Sequence, residues 1–165
     1  MTKVGIIGIG DMGSGIAKNL MANGFAVHGL DLDTERMQAF TKAGGIAAAN
    51  LAELARDASA VFVMVMTGAQ AEAVIFGEGG LAANMSDGTS IILTATIKPA
   101  ESEAIGKRLA DTAIHLIDSP VSGGFPGAQS GTLTMMAAGP EAALTACRPI
   151  MEAVSSTIHI VGDAA

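Results

Sequence analysis

Val4-Gly5-Ile6-Ile7-Gly8-Ile9-Gly10-Asp11-Met12-Gly13, almost the first residues of the chain, passes from an apolar run into three spaced glycines. Ile16, Ala17, Leu20 and Met21 then recur at helical spacing until Asn23-Gly24 ends the pattern. The stretch reads as strand, glycine turn and helix. A second apolar run, Phe25 to Leu30, reads as another strand and finishes on Asp31, eighteen positions after Gly13. Each part has a physical task in holding a dinucleotide. Gly8 makes the tight turn, Gly10 lets backbone approach a pyrophosphate, and Gly13 lets the helix pack closely on the strand. Ile9, Asp11 and Met12 complete the turn, and the helix offers free N–H groups and its positive dipole end to the phosphates. Asp31 would accept the ribose hydroxyls of the adenosine half. A glycine triplet alone is weak ground when 21 of 165 residues are glycine. The strand before it, the helix after it and the acid at that distance give it weight.

Composition narrows the class of function. A chain of 165 residues that is half apolar can bury one full core, which predicts a single domain. Nine Lys and Arg stand against sixteen Asp and Glu, a formal charge of -7, so the basic face that nucleic acid requires is missing. Trp and Tyr are absent, which removes most stacking platforms for bases. An anionic cofactor is still compatible with this charge, because helix N-termini and backbone amides supply a positive end locally. The longest apolar run, Ala60 to Met66, is far short of the roughly 20 residues that span a bilayer. Met1-Thr2-Lys3 leads straight into a strand and leaves no room for a signal peptide, so a cytoplasmic protein without a membrane partner is expected. Cys147, the single cysteine, lies in a helical pattern and reads as a small core residue.

Beyond Asp31 the order is strand and helix in alternation. Asp33-Thr34 caps a helix that carries Met37 and Phe40 and ends at Gly44-Gly45; a short strand follows at Ile46-Ala47, then a brief helix capped by Asn50. Ala60 to Met66 is continuously apolar, as a central parallel strand covered on both faces should be. It ends at Thr67-Gly68, before a helix over 69–76 and a break at Gly77 to Gly80. Strand-like residues resume at Thr89 to Thr94, ending near Thr96, and Lys98-Pro99 starts a helix toward Asp111. Strands are predicted at Ile114 to Asp118, Leu133 to Ala138 and Thr157 to Val161, with a helix over Glu141 to Ala153 and a glycine-rich loop from Ser119 to Gly131. The pattern predicts an α/β fold, a Rossmann-type doubly wound and mostly parallel sheet. The three histidines, His28, His115 and His159, fall in or beside strands and read as half-buried structural residues.

Asp118-Ser119-Pro120-Val121-Ser122-Gly123-Gly124 is a second candidate site. A strand end followed by Ser-Gly-Gly presents a hydroxyl and two unhindered amides, which can hold a carboxylate without a cation. The same residues can equally make a plain connecting turn.

Taken together, the two motifs resemble the β-hydroxyacid dehydrogenases, with Ala17, Asn19, Leu20 and Gly24 in step with the first, and Gly127-Ala128 and Gly131-Thr132-Leu133 with the second. They lie 110 positions apart, Gly8 to Asp118, and agree in pattern and order. The resemblance covers the whole chain and includes, more distantly, the NAD-binding domain of 6-phosphogluconate dehydrogenase. It implies that residues 8 to 13 hold the pyrophosphate, Asp31 the adenosine ribose, Met66 and Thr67 the cofactor beside the central strand, and Thr96 the ribose on the nicotinamide side. Ser122, Gly123 and Gly124 are implied to bind the carboxylate of a small hydroxy-acid substrate. Ala95 departs from the Ser or Thr of many relatives. No catalytic residue and no metal ligand is assigned in this chain. The family's acid/base lysine, in a Gly-x-x-x-Lys-x-x-x-Asn pattern on a long helix, is expected just after Ala165, in a C-terminal helical domain through which the full-length enzyme would form a homo-oligomer. Lys98 reads as a solvated lysine. The carboxylate at Asp31 favours NAD over NADP, although Arg36, five positions on, is near enough in sequence to swing in. A dinucleotide-sensing module without catalysis and an imine-reducing relative are the competing readings; the intact Ser-Gly-Gly segment favours the hydroxy-acid one.

Overall fold

A computed structural model gives the fold of residues 1–164. The opening stretch forms β1 (Lys3–Ile7), and the glycine turn leads into α1 (Asp11–Ala22). β2 (Ala26–Leu30), α2 (Thr34–Lys42) and β3 (Ile46–Ala47) build outward on one side of β1. Through α3 (Leu51–Ala55) the chain crosses to the other side, where β4 (Ala60–Val63), β5 (Ser90–Leu93) and β6 (His115–Asp118) add in parallel. α4 (Gly68–Phe76), α5 (Leu81–Asn84) and α6 (Pro99–Leu109) connect them. The last third contains β7 (Val121–Ser122), α7 (Gly124–Ser130), β8 (Leu133–Ala138), α8 (Glu141–Glu152) and β9 (Ser155–Gly162). The strand order is β3-β2-β1-β4-β5-β6-β8, with β7 and β9 also paired to β8. β8 runs antiparallel to β6 and β7, and β9 parallel to β8. This is the doubly wound, mostly parallel sheet that the alternation predicts.

The central strands are continuously apolar because both their faces are covered. Ile6, Phe62, Ile92 and Ile117 pack into one layer with α1 and α8, while Val61, Val63, Ile91, Leu93 and Leu116 face α3 to α6. Cys147 is buried in the first layer, and burial pushes its thiol above the usual 9.0, in keeping with a small core residue. Among the described residues, no helix is long and apolar enough to cross a membrane.

Four local expectations are corrected. β4 ends at Val63 rather than Met66: its neighbour β1 stops at Ile7 because Gly8 turns away, so nothing remains for Val65 and Met66 to pair with. β5 likewise ends at Leu93, which puts Thr96 outside the sheet. The segment from Ser119 to Gly131 is more than a loop, since it holds β7 and α7. His159 lies exposed on β9, whereas His28 and His115 are half-buried.

α7 forms despite Gly124, Pro126 and Gly127 because it docks on α1. A β-carbon on Gly15 of α1 would meet the Ala128 backbone at 2.5 Å, so the two helices touch backbone to backbone. Asn19 Nδ2 donates to the Ala128 carbonyl at 2.8 Å, and Lys18 Nζ to that of Gln129 at 3.3 Å.

Candidate dinucleotide and substrate site

The strand register lines up the carboxyl ends of the sheet. Ile7 is opposite both Leu30 and Val63, Val63 opposite Leu93, and Leu93 opposite Asp118. Gly8, Asp31, Met64, Thr94 and Ser119 therefore leave the sheet side by side. The winding direction reverses between β1 and β4, which is where an open α/β sheet forms its ligand crevice.

The three glycines of the first turn have different neighbours. A β-carbon on Gly8, at φ 87°, would run into the Met64 carbonyl oxygen, and one on Gly13 into the carbonyl oxygen of Gly8. Protein packing alone demands glycine at those two positions. At Gly10 the nearest atom would be Arg36 Nη1, 3.6 Å away, an ordinary contact at the end of a flexible side chain. The backbone there, φ −73° and ψ −160°, suits any residue. Only the end of the half-exposed Arg36 side chain lies over Gly10, and Gly10 caps α1 with no side-chain hydrogen bond. An open cradle over a helix N-terminus fits a pyrophosphate. Ile9 is buried, Met12 partly buried and Asp11 exposed in the first turn.

Asp31 is joined directly to this turn. Its Oδ2 accepts the Ile9 N–H at 2.6 Å and its Oδ1 the Asp33 N–H at 2.8 Å. One strand over, Met66 is 86 % exposed and its N–H donates to Gln70 Oε1, while Thr67 Oγ1 accepts the Gln70 N–H at the start of α4. Gln70 was not expected in the site region, yet Thr-x-x-Gln is a capping-box spacing that could have announced it. At the start of α6, Glu101 accepts the Lys98 N–H, and its carboxylate lies against Gly68. Thr96 is exposed further along the same edge, and Lys98 is exposed as well.

Ser122, Gly123 and Gly124 are all exposed, with Ser122 opposite Thr134 of β8. Gly123 at φ 127° and Gly124 at φ 57° adopt successive conformations that side chains resist, leaving their amides unhindered. The docking of α7 on α1 ties this turn to the helix that follows Gly10.

Asp118, the last residue of β6, is half-buried, and burial raises its carboxyl above the ordinary 3.8, partly offset by the nearby Ser102 hydroxyl of α6. A raised value in the folded state means that the folded chain prefers the neutral acid. The stability from this group is complete below the unfolded value and lost as pH rises through the folded one. Asp118→Asn should therefore raise the unfolding free energy from urea titration at pH 7 slightly, by less than about 1 kcal/mol because solvent still reaches the group. The gain should vanish near pH 3. Equal gains at both pH values would assign the effect to something other than charge.

A doubly wound sheet with a glycine cradle, an acid beside it and an exposed Ser-Gly-Gly turn on the same edge is the arrangement of a dinucleotide-binding domain. The comparisons make this specific. Residues 3–162 match the family model for the NAD binding domain of 6-phosphogluconate dehydrogenase. The chain belongs to this NAD-binding family. It is 41% identical over 161 residues to L-threonate dehydrogenase of Cupriavidus necator, covering 98% of this chain and 54% of that protein. The crystal structure of 3-hydroxyisobutyrate dehydrogenase (ygbJ) from Salmonella typhimurium superposes with a TM-score of 0.94 at 33% identity, over 99% of this chain and 57% of that one. An imine reductase from Myxococcus stipitatus, in complex with NAD+, has a TM-score of 0.91 at 15% identity over 99% of this chain and 55% of its own; this shows a shared fold. The chain spans about half the length of the curated relatives it matches.

Proposed function

We propose that residues 1–165 form the cofactor domain of an NAD-dependent dehydrogenase acting on a small hydroxy acid. The observation that carries this reading is Gly10, where packing does not demand glycine and only the end of the Arg36 side chain comes near, at the start of a helix docked on α7, which follows the Ser122-bearing turn. In this reading, Gly8 to Gly13 take the pyrophosphate and Asp31 the adenosine ribose. Met66 and Thr67 flank the cofactor, and Thr96 meets the ribose next to the nicotinamide. When bound, NAD supplies the hydride chemistry. Ser122, Gly123 and Gly124 hold the substrate carboxylate and so orient the alcohol carbon toward the ring, an effect that lowers barriers by several kcal/mol in well-aligned systems, order of magnitude. The proton of the alcohol is left to a lysine outside this domain, on a helical domain that the family resemblance expects after Ala165.

Calorimetric titration with NADH and NADPH separately, at one salt concentration, tests this. Saturable binding is expected with NADH the tighter, and no steady oxidation of hydroxy acids by these 165 residues alone. Binding of neither cofactor by a chain with a folded circular dichroism spectrum would overturn the site, and sustained turnover would overturn the assignment of proton transfer.

A further inference from the structure

Two helices begin side by side at the carboxyl edge of the sheet. α4 starts at Gly68, directly after Thr67, and α6 starts at Pro99, three positions after Thr96. Glu101, in the first turn of α6, lies between the two starts. Its Oε2 accepts the Lys98 N–H at 2.9 Å, and the carboxylate rests against the buried Gly68. A β-carbon on Gly68 would stand 2.6 Å from the Glu101 carboxyl carbon and 2.8 and 2.9 Å from its two oxygens. The Gly68 backbone is not left-handed, so conformation does not require glycine there. The carboxylate does, because it occupies the place that a side chain at residue 68 would take.

Helix chemistry gives this contact its worth. The first N–H groups of a helix have no carbonyl partner within it, and the dipole at that end favours an anion. α6 has Glu101 in its own first turn, whereas α4 has no acid in its first turn. One carboxylate therefore serves both helices. Strand pairing holds the neighbours β4 and β5 in register as far as Val63 and Leu93, and Met66, Thr67 and Thr96 lie beyond it. Met66 and Thr67 are tied to α4 through Gln70, and Thr96 leads into α6. Further along, the same two helices meet through Arg108, whose Nη1 is 3.5 Å from Glu72 Oε1 and whose guanidinium lies over the Phe76 ring, a contact half open to solvent.

Resting on the cofactor reading above, we propose that Glu101 is a positioning residue: its carboxylate pins the start of α6 to the start of α4 and so sets Thr96 against Met66 and Thr67 on the nicotinamide side of the crevice. It acts through those residues rather than on the cofactor. The adenosine end is built on Gly8 to Gly13 and Asp31, which hang from β1, β2 and α1. Loss of the bridge should therefore be felt by the whole dinucleotide and not by its adenosine half, a split that general loosening of the fold would not produce.

The test titrates the parent chain, Glu101→Ala, Glu101→Gln, Gly68→Ala and Arg108→Ala with NADH and with 5′-ADP, with thermal midpoints recorded for each. Glu101→Ala should bind NADH about fivefold or more weakly, with 5′-ADP within about twofold of the parent. Glu101→Gln keeps an oxygen for the Lys98 N–H and should recover part of the NADH affinity. Gly68→Ala should reproduce the NADH loss, because its methyl group displaces the carboxylate, and combining it with Glu101→Ala should cost nothing further. Arg108→Ala, which loosens the same helix pair elsewhere, should leave both ligands unchanged. Should Glu101→Ala fail to fold, Glu101→Gln and Gly68→Ala carry the same comparison. Parallel weakening of NADH and 5′-ADP, an unchanged NADH affinity without the carboxylate, or an equal loss in Arg108→Ala would overturn the role of Glu101 and leave the dinucleotide site standing. A parent that binds neither ligand would overturn both.

Discussion

Gly10→Ala should fold with a stability within about 1 kcal/mol of the parent, the ordinary difference between glycine and alanine at a helix N-cap, yet bind NADH at least about tenfold more weakly. Gly8→Ala and Gly13→Ala should instead damage the fold itself, by about 3 kcal/mol or more, because each forces a methyl group into a backbone carbonyl that cannot move without opening the sheet edge. At Gly8 the positive φ adds its own strain. At Gly10 neither penalty applies, since an added methyl group would touch only the end of the Arg36 side chain. Urea unfolding followed by circular dichroism, set beside calorimetric titration, separates the two effects. If Gly10→Ala lost as much stability as Gly13→Ala, or bound NADH like the parent, the open cradle would have no ligand to explain it.

The second large effect is expected at Asp31. In Asp31→Asn the amide oxygen can keep one of the two N–H donors, Ile9 or Asp33, but the amide nitrogen faces the other donor head on. The oxygen keeps the part-buried Ile9 N–H and the exposed Asp33 N–H turns to water, so the cost is that of one hydrogen bond, about 0.5–1.5 kcal/mol. Loss of the carboxylate also removes an acceptor for the ribose hydroxyls and the repulsion of a 2′-phosphate. NADH should weaken by at least about tenfold while NADPH changes less, so that the ratio of the two affinities narrows. The titration described above measures it. An unchanged ratio would leave Asp31 as a brace for the glycine turn and nothing more.

The first thirty-one residues were legible because strand, turn, helix and acid follow one another locally, and each leaves its own mark on the sequence. What escaped depended on neighbours that a local pattern does not contain. Met64 to Met66 look like more strand because they are apolar, but pairing needs a partner, and β1 has already turned at Gly8. α7 was hidden by Gly124, Pro126 and Gly127, whose propensities argue against a helix; its support comes from Gly15, more than a hundred residues earlier in the chain. His159 carries a strand-like context, yet β9 has only β8 beside it, which leaves the side chain in solvent. In the candidate site, Asp31 and Ser122 were found as residue types in motifs. The bond from the Ile9 amide to Asp31 and the position of Arg36 over Gly10 needed three dimensions.

The docking of α7 on α1 also has a mechanical meaning. Two backbones in contact at Gly15 and Ala128, stitched by Asn19, have no side-chain layer between them to compress or shear. The pyrophosphate turn and the Ser-Gly-Gly turn are thus mounted on a single stiff strut, and the spacing between them is set by the diameter of a bare helix. The distance from cradle to cradle is thereby held by backbone contact, like the jaw of a fixed gauge.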